Sequence, residues 1–125
     1  MRKTLPAVVV GLVLCGMDAG AHHSIAGIYD NSRRLTLDGV VRRWDFVNPH
    51  PFITLEVTSP DGQPEQWKLE MDNRRELAEL GFKANTLKPG DRLIIVGSAA
   101  RREARALYVR RLERPSDGFT YEHPR

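Results

Sequence analysis

The chain has 125 residues, 19 basic and 16 acidic, with a formal net charge of +3. That length suits one small domain, and a charge so near neutral gives little long-range steering toward a polyanion. One cysteine, Cys15, excludes an internal disulfide, so stability must come from core packing.

Arg2 and Lys3 precede an apolar run from Leu5 to Cys15, too short for a membrane span of about 20 residues. A basic start, a short apolar stretch and small residues at Ala19 and Ala21 make a secretory signal peptide. Residues 1–21 are therefore expected to be cleaved after Ala21, leaving a periplasmic protein with no membrane span. Leu14 is too large to support lipid attachment at Cys15. Cleavage removes Arg2, Lys3, Asp18 and Cys15, leaving 17 basic and 15 acidic residues and a formal charge of +2. Thiolate metal sites and cysteine nucleophiles go with it. The arginines come in pairs (Arg33-Arg34, Arg42-Arg43, Arg74-Arg75, Arg101-Arg102, Arg110-Arg111), but interleaved acids make these read as a solvated surface.

Residues 22–34 show no period and are expected to be an irregular lead-in. Leu35, Leu37 and Val41 then follow one alternating register, while Val40, Trp44 and Phe46 follow the other. A switch beside Gly39 predicts a bulged or coiled first strand. Ile53, Leu55 and Val57 alternate with polar residues, Ser59-Pro60-Asp61-Gly62 is a turn, and Trp67, Leu69 and Met71 alternate in a third strand. Asn73 as N-cap, Glu76 three residues on, Leu77 and Leu80 at helical spacing and Gly81 as a stop predict a helix over 74–80. Phe82 and Leu87 are expected to pack beside it. A Lys88-Pro89-Gly90-Asp91 turn, the strand RLIIVGS, a loop over 99–104 and the strand ALYVRRL complete the pattern. Residues 115–125 carry little core material and are expected to be a loose tail. Three strands, a helix and two strands define an all-β fold with one short helix, a five-stranded OB-fold-like Greek-key barrel over 22–114.

Chemistry concentrates in the histidines. After cleavage, His22 would offer its α-amine and ring nitrogen Nδ1 to one metal as a chelate. His50, or His23, would add another imidazole. All-nitrogen sites favour Cu(II), with Ni(II) and Zn(II) behind, and proton competition at the amine weakens binding on acidification. His23 in second position also allows a weaker local copper site on a flexible end. His50 sits in Asn48-Pro49-His50-Pro51, where two prolines stiffen a connection at the barrel rim; Asn48 is expected to support the loop by hydrogen bonding. His123 reads as incidental. No catalytic constellation is recognisable, and Glu70 and Asp72 read as strand and cap residues. Trp44, Phe46, Phe52 and Trp67 read as core rather than as a stacking platform, and export separates the protein from nucleic acid. The alternative to a copper module is a metal-free exported module holding a protein or small ligand at the rim.

Ala21-His22-His23-Ser24, the stretch from Leu35 to His50 and Leu87 to Asp91 together resemble a family of small exported bacterial proteins of unknown function. The resemblance covers most of the mature domain and departs from the family pattern at Ile25, where phenylalanine is usual. It implies export and an OB-like barrel, and it supplies no catalytic residues.

Overall fold

The computed structural model describes residues 24–124, so residues 1–21 and His22-His23 lie outside it. The element order is α1 (Ile25–Ile28), β1 (Tyr29–Asp45), β2 (Phe52–Thr58), β3 (Pro64–Glu70), α2 (Arg74–Glu79), β4 (Arg92–Ala100), β5 (Ala106–Arg114) and β6 (Phe119–Glu122). The sheet runs β3-β2-β1-β4-β5, and β5 returns to pair in parallel with β3 through Lys68–Ala106, Leu69–Leu107 and Glu70–Tyr108. Five strands thus close into the expected Greek-key ring, with α2 between β3 and β4. Among the described residues no helix is long and apolar enough to cross a membrane.

β1 has 17 residues because it serves two partners. Tyr29 to Val40 pair with β4, and Val40 to Asp45 pair with β2. The change of apolar register is real but lies at Arg42, where the ladder slips between Val41–Leu55 and Arg43–Thr54. That extra residue returns Trp44 to the side of Leu37 and Val41, where it packs on the core. Gly39 has a different task. A Cβ there would collide with the Glu56 carbonyl and meet Leu55 Cγ at 2.9 Å. Gly97 in β4 makes the matching close approach to β5, with a Cβ falling 2.6 Å from the Tyr108 carbonyl and onto Leu107.

The core is one large cluster, with a smaller one around Tyr29 and Tyr108. Val41, Ile53, Leu55, Leu69, Met71, Leu77, Leu93, Ile95, Leu107, Val109 and Leu112 have no solvent exposure. α2 closes one end of the barrel through Leu77. Its Asn73 cap accepts from the Glu76 amide at 2.9 Å, while Asp72 accepts from the Asn73 amide at 2.9 Å. Phe82 and Leu87 pack beside it as expected, but Leu80 is 61% exposed because the helix ends one residue earlier.

Three sequence expectations need correction. From Ile25 on the lead-in is regular: β1 starts at Tyr29, and α1 adds a second short helix before it. Polar residues 30–33 hide this strand because its ladder to β4 skips from Asp30 to Arg34. The expected loop over 99–104 loses Ala99 and Ala100 to β4. Nor is the tail loose over its whole length. β6 pairs with Arg111–Arg114, continuing the β5 edge whose earlier residues pair with β3, and its Tyr121 is 5% exposed. Tyr121 and Phe119 both meet Phe82 edge-on, with ring centroids 5.5 Å apart in each case. Covering a bare strand edge with a short hairpin also blocks edge-to-edge aggregation.

Gly97→Ala should lower the unfolding free energy by about 1–3 kcal/mol through overpacking. Gly27→Ala, whose Cβ would meet only Ser24 Cβ at 3.8 Å, should stay within about 0.5 kcal/mol. Tyr121→Ala should cost about 3 kcal/mol, as aromatic truncation does in a core. Urea denaturation of the three variants checks all three values.

Candidate functional site

The β1–β2 connection carrying His50 is bonded along its length to the segment after β3. The Pro51 carbonyl accepts from the Met71 amide and the Pro49 carbonyl from the Arg74 amide, each at 3.0 Å. Arg74 also donates from Nε to the Phe46 carbonyl at 3.2 Å. The Asn48–Pro49 peptide is cis. Asn48 itself is exposed, and the bonds that anchor the loop come from these backbone groups and from Arg74 rather than from its side chain.

His50 Nδ1 donates to the Met71 carbonyl at 2.8 Å. A carbonyl can only accept, so the proton sits on Nδ1 in the neutral ring and Nε2 carries the lone pair. The Glu70 carboxylate lies 3.6 Å from the same nitrogen. Its other oxygen accepts a 2.5 Å hydrogen bond from the Tyr29 hydroxyl. Tyr29 packs against Tyr108 at 5.6 Å between centroids, and Tyr108 shares a 3.1 Å hydrogen bond with His123 Nε2. Asp72 Oδ2 lies 3.5 Å from that nitrogen. His123 is therefore not incidental, since pairing of its amide with the Arg110 carbonyl at 2.8 Å fixes it against Tyr108.

Six residues missed or underread in the sequence thus join His50: Tyr29, Glu70, Asp72, Tyr108, His123 and Arg110, whose guanidinium lies 4.7 Å from the Tyr108 ring centre. Glu70 and Asp72 flank Met71 at the end of β3, and that alternation was the one visible signal. Their partners come from remote segments brought in by barrel closure. Among the described residues, no group of three or more His, Cys, Asp or Glu is arranged to hold a metal ion.

Burial chiefly, reinforced by the hydrogen bond to Glu70, pushes the Tyr29 hydroxyl far above its usual pKa. Burial raises Tyr108 and Tyr121 as well, with the Asp72 carboxylate the next cause for both. These are the chain's three tyrosines.

A separate cavity of about 600 Å³ opens between the β1–β2 and β4–β5 connections. Val47 and Arg105 stand at its sides, and Thr54, Gln66, Trp67 and Lys68 line it from β2 and β3. Trp67 is only half-buried, packing on the core while lining this groove, and its Nε1 is buried without a partner among the described residues. Arg105 holds a positive φ of 54°, uncommon for a side-chain-bearing residue, and its carbonyl accepts from the Lys68 amide at 2.9 Å.

A closed five-stranded ring with a helix between its third and fourth strands and a groove between these two loops is an OB-type barrel module. Residues 9–107 match a family of unknown function, DUF6152, and the chain belongs to that family. No curated protein matches it. Among solved structures it is similar to the mitochondrial single-stranded DNA binding protein Rim1 of S. cerevisiae, at 12% identity and a TM-score of 0.43, over 74% of this chain and 97% of that one.

The raised tyrosines have a direct consequence in alkali. The unfolded chain releases its phenol protons near pH ~10 while the fold holds them. Stability is therefore fully retained below about pH 10 and falls as the pH rises beyond it. Tyrosinate absorbance should appear together with unfolding, not before it; a titration of the folded protein at the ordinary tyrosine pKa would contradict this.

Proposed function

We propose that this chain is an exported, periplasmic OB-type module that captures a transition metal, copper first, through the α-amine and ring of His22, through His50, and with His23 as a further imidazole. The observation that carries the reading is the Nδ1–H bond from His50 to the Met71 carbonyl. Metal-bound histidines typically donate their other ring nitrogen to a carbonyl or carboxylate, which fixes the tautomer and orients the ring. His50 has that arrangement on a loop braced by Arg74 and two prolines.

Reach supports the same reading. Ile25 packs on the Tyr29–Tyr108 cluster, and Tyr29 is bonded to the carboxylate beside His50. His22 stands three positions before Ile25 in the sequence, a span of at most about 11 Å. An amine and imidazoles offer only nitrogen, the donor set that copper(II) prefers.

A metal-free module holding a small ligand at the rim is the second reading. The groove between the two loops favours it, with the half-buried Trp67 on its lining.

Cu(II) titration of the protein processed to begin at His22, its mass confirmed, separates the two. One-to-one binding should weaken by at least about tenfold in His50→Ala, and equally when one residue is added before His22. Binding should also weaken as the pH falls below about 8, where the α-amine keeps its proton. Binding indifferent to His50→Ala would reduce the site to a flexible His-His end. Absence of binding would leave the groove reading.

A further inference from the structure

Residues 31–33 loop out of the β1–β4 ladder, which stops at Asp30–Ala99 and resumes at Arg34–Ser98. Bulges beside a site re-aim side chains, and this one is fixed from within. Asp30 Oδ1 accepts from the Ser32 amide at 3.0 Å and from its hydroxyl at 2.6 Å. Asn31 becomes the hub. Its Oδ1 accepts from Arg110 Nη2 at 2.6 Å and from the fully buried Ser98 hydroxyl at 3.1 Å. Its carbonyl accepts from Arg34 Nε at 3.2 Å. Arg110 Nε donates to Ser98 Oγ at 3.2 Å, and its guanidinium lies 4.7 Å from the Tyr108 ring centre.

Arg34 and Arg110 line one pocket of about 250 Å³, together with His123, Pro124 and Glu122. Every acceptor that positions the two guanidiniums is neutral. Among the described residues neither arginine is ion-paired, and Glu122, the carboxylate on the lining, pairs with neither. Burial first, and the nearby Arg34 charge among the further causes, hold Arg110 below its ordinary pKa. An anion between the guanidiniums would relieve both costs. Both Nε groups are already engaged by Asn31 and Ser98, so the terminal Nη groups are what would meet a tetrahedral oxyanion through charge-assisted hydrogen bonds.

We propose that the pocket between Arg34 and Arg110 binds a small tetrahedral oxyanion, a phosphate group either free or at the end of a larger molecule. This site is independent of the copper reading: it uses neither His50 nor the N-terminal amine.

The test is calorimetric titration of the metal-free protein with inorganic phosphate and, separately, with glycerol phosphate at low ionic strength. Saturable one-to-one binding should weaken by about tenfold in Arg34→Gln, the loss of one charge-assisted contact. Arg33→Gln, exposed and outside the pocket, should bind as the parent does. Arg110→Gln should also lose binding, but it strips contacts from Ser98 and Tyr108, so the exposed Arg34 is the deciding position. Tighter binding of glycerol phosphate would identify an end group, and tighter binding of phosphate a free ion; either supports the site. No saturable binding of either probe, or equal loss in Arg33→Gln and Arg34→Gln, would overturn it.

Discussion

Val40 pairs with Glu56 of β2 on one side and Arg92 of β4 on the other, and the barrel turns on that residue. One strand can belong to both halves of a ring only if it bends sharply where it changes partner. Gly39 supplies the close approach just before this point, and the Arg42 bulge supplies the coil just after it. The Lys88–Asp91 turn then docks at the junction, its Gly90 amide donating to the Val41 carbonyl and its Asp91 carbonyl accepting from the Val41 amide, both at 2.8 Å. Two forked ion pairs flank the pivot, Asp38 with Arg92 and Arg42 with Glu56. Such exposed pairs add little stability. Their value is register, because a one-residue slip would turn every core side chain of β1 outward.

The functional chemistry inherits its geometry from the same closure. Parallel pairing of β3 with β5 sets Glu70 beside Tyr108, and the β1–β4 pairing brings Tyr29 to both. Two imidazoles, two carboxylates and two phenols thereby meet in one partly buried network. In such surroundings a hydrogen bond to a carboxylate is strong and an unmet one costly. The short Tyr29–Glu70 contact therefore ties the entry of the chain to the acid beside His50.

What was legible in the sequence is what is encoded locally. The β2–β3 hairpin follows from alternation around Ser59–Gly62, and α2 from Asn73 capping the Glu76 amide. His50 stood out because prolines bracket it. What escaped depends on partners far along the chain. Tyr121 is a core residue through Phe82, and nothing near residue 121 announces that. Residues 30–33 look like a loop because a bulge suspends alternation inside a strand. Leu80 shows the opposite error, an apolar residue at helical spacing that the helix ends too soon to bury. His123 acquires its role only once β6 has joined β5.

Both ends of the described residues converge on one small cluster. Ile25 packs against the group that holds Tyr29 and Tyr108, and His123 meets the Tyr108 ring edge-on from the other end. A purification tag or fusion partner joined directly before Ser24 or directly after Pro124 would thus be delivered to the very neighbourhood whose chemistry one wants to measure. The Ser59–Gln63 turn lies a full seven-residue strand away from that end, about 20 Å along the sheet. Residues 60–63 of that turn are exposed, which makes it the place to attach a handle without touching the site.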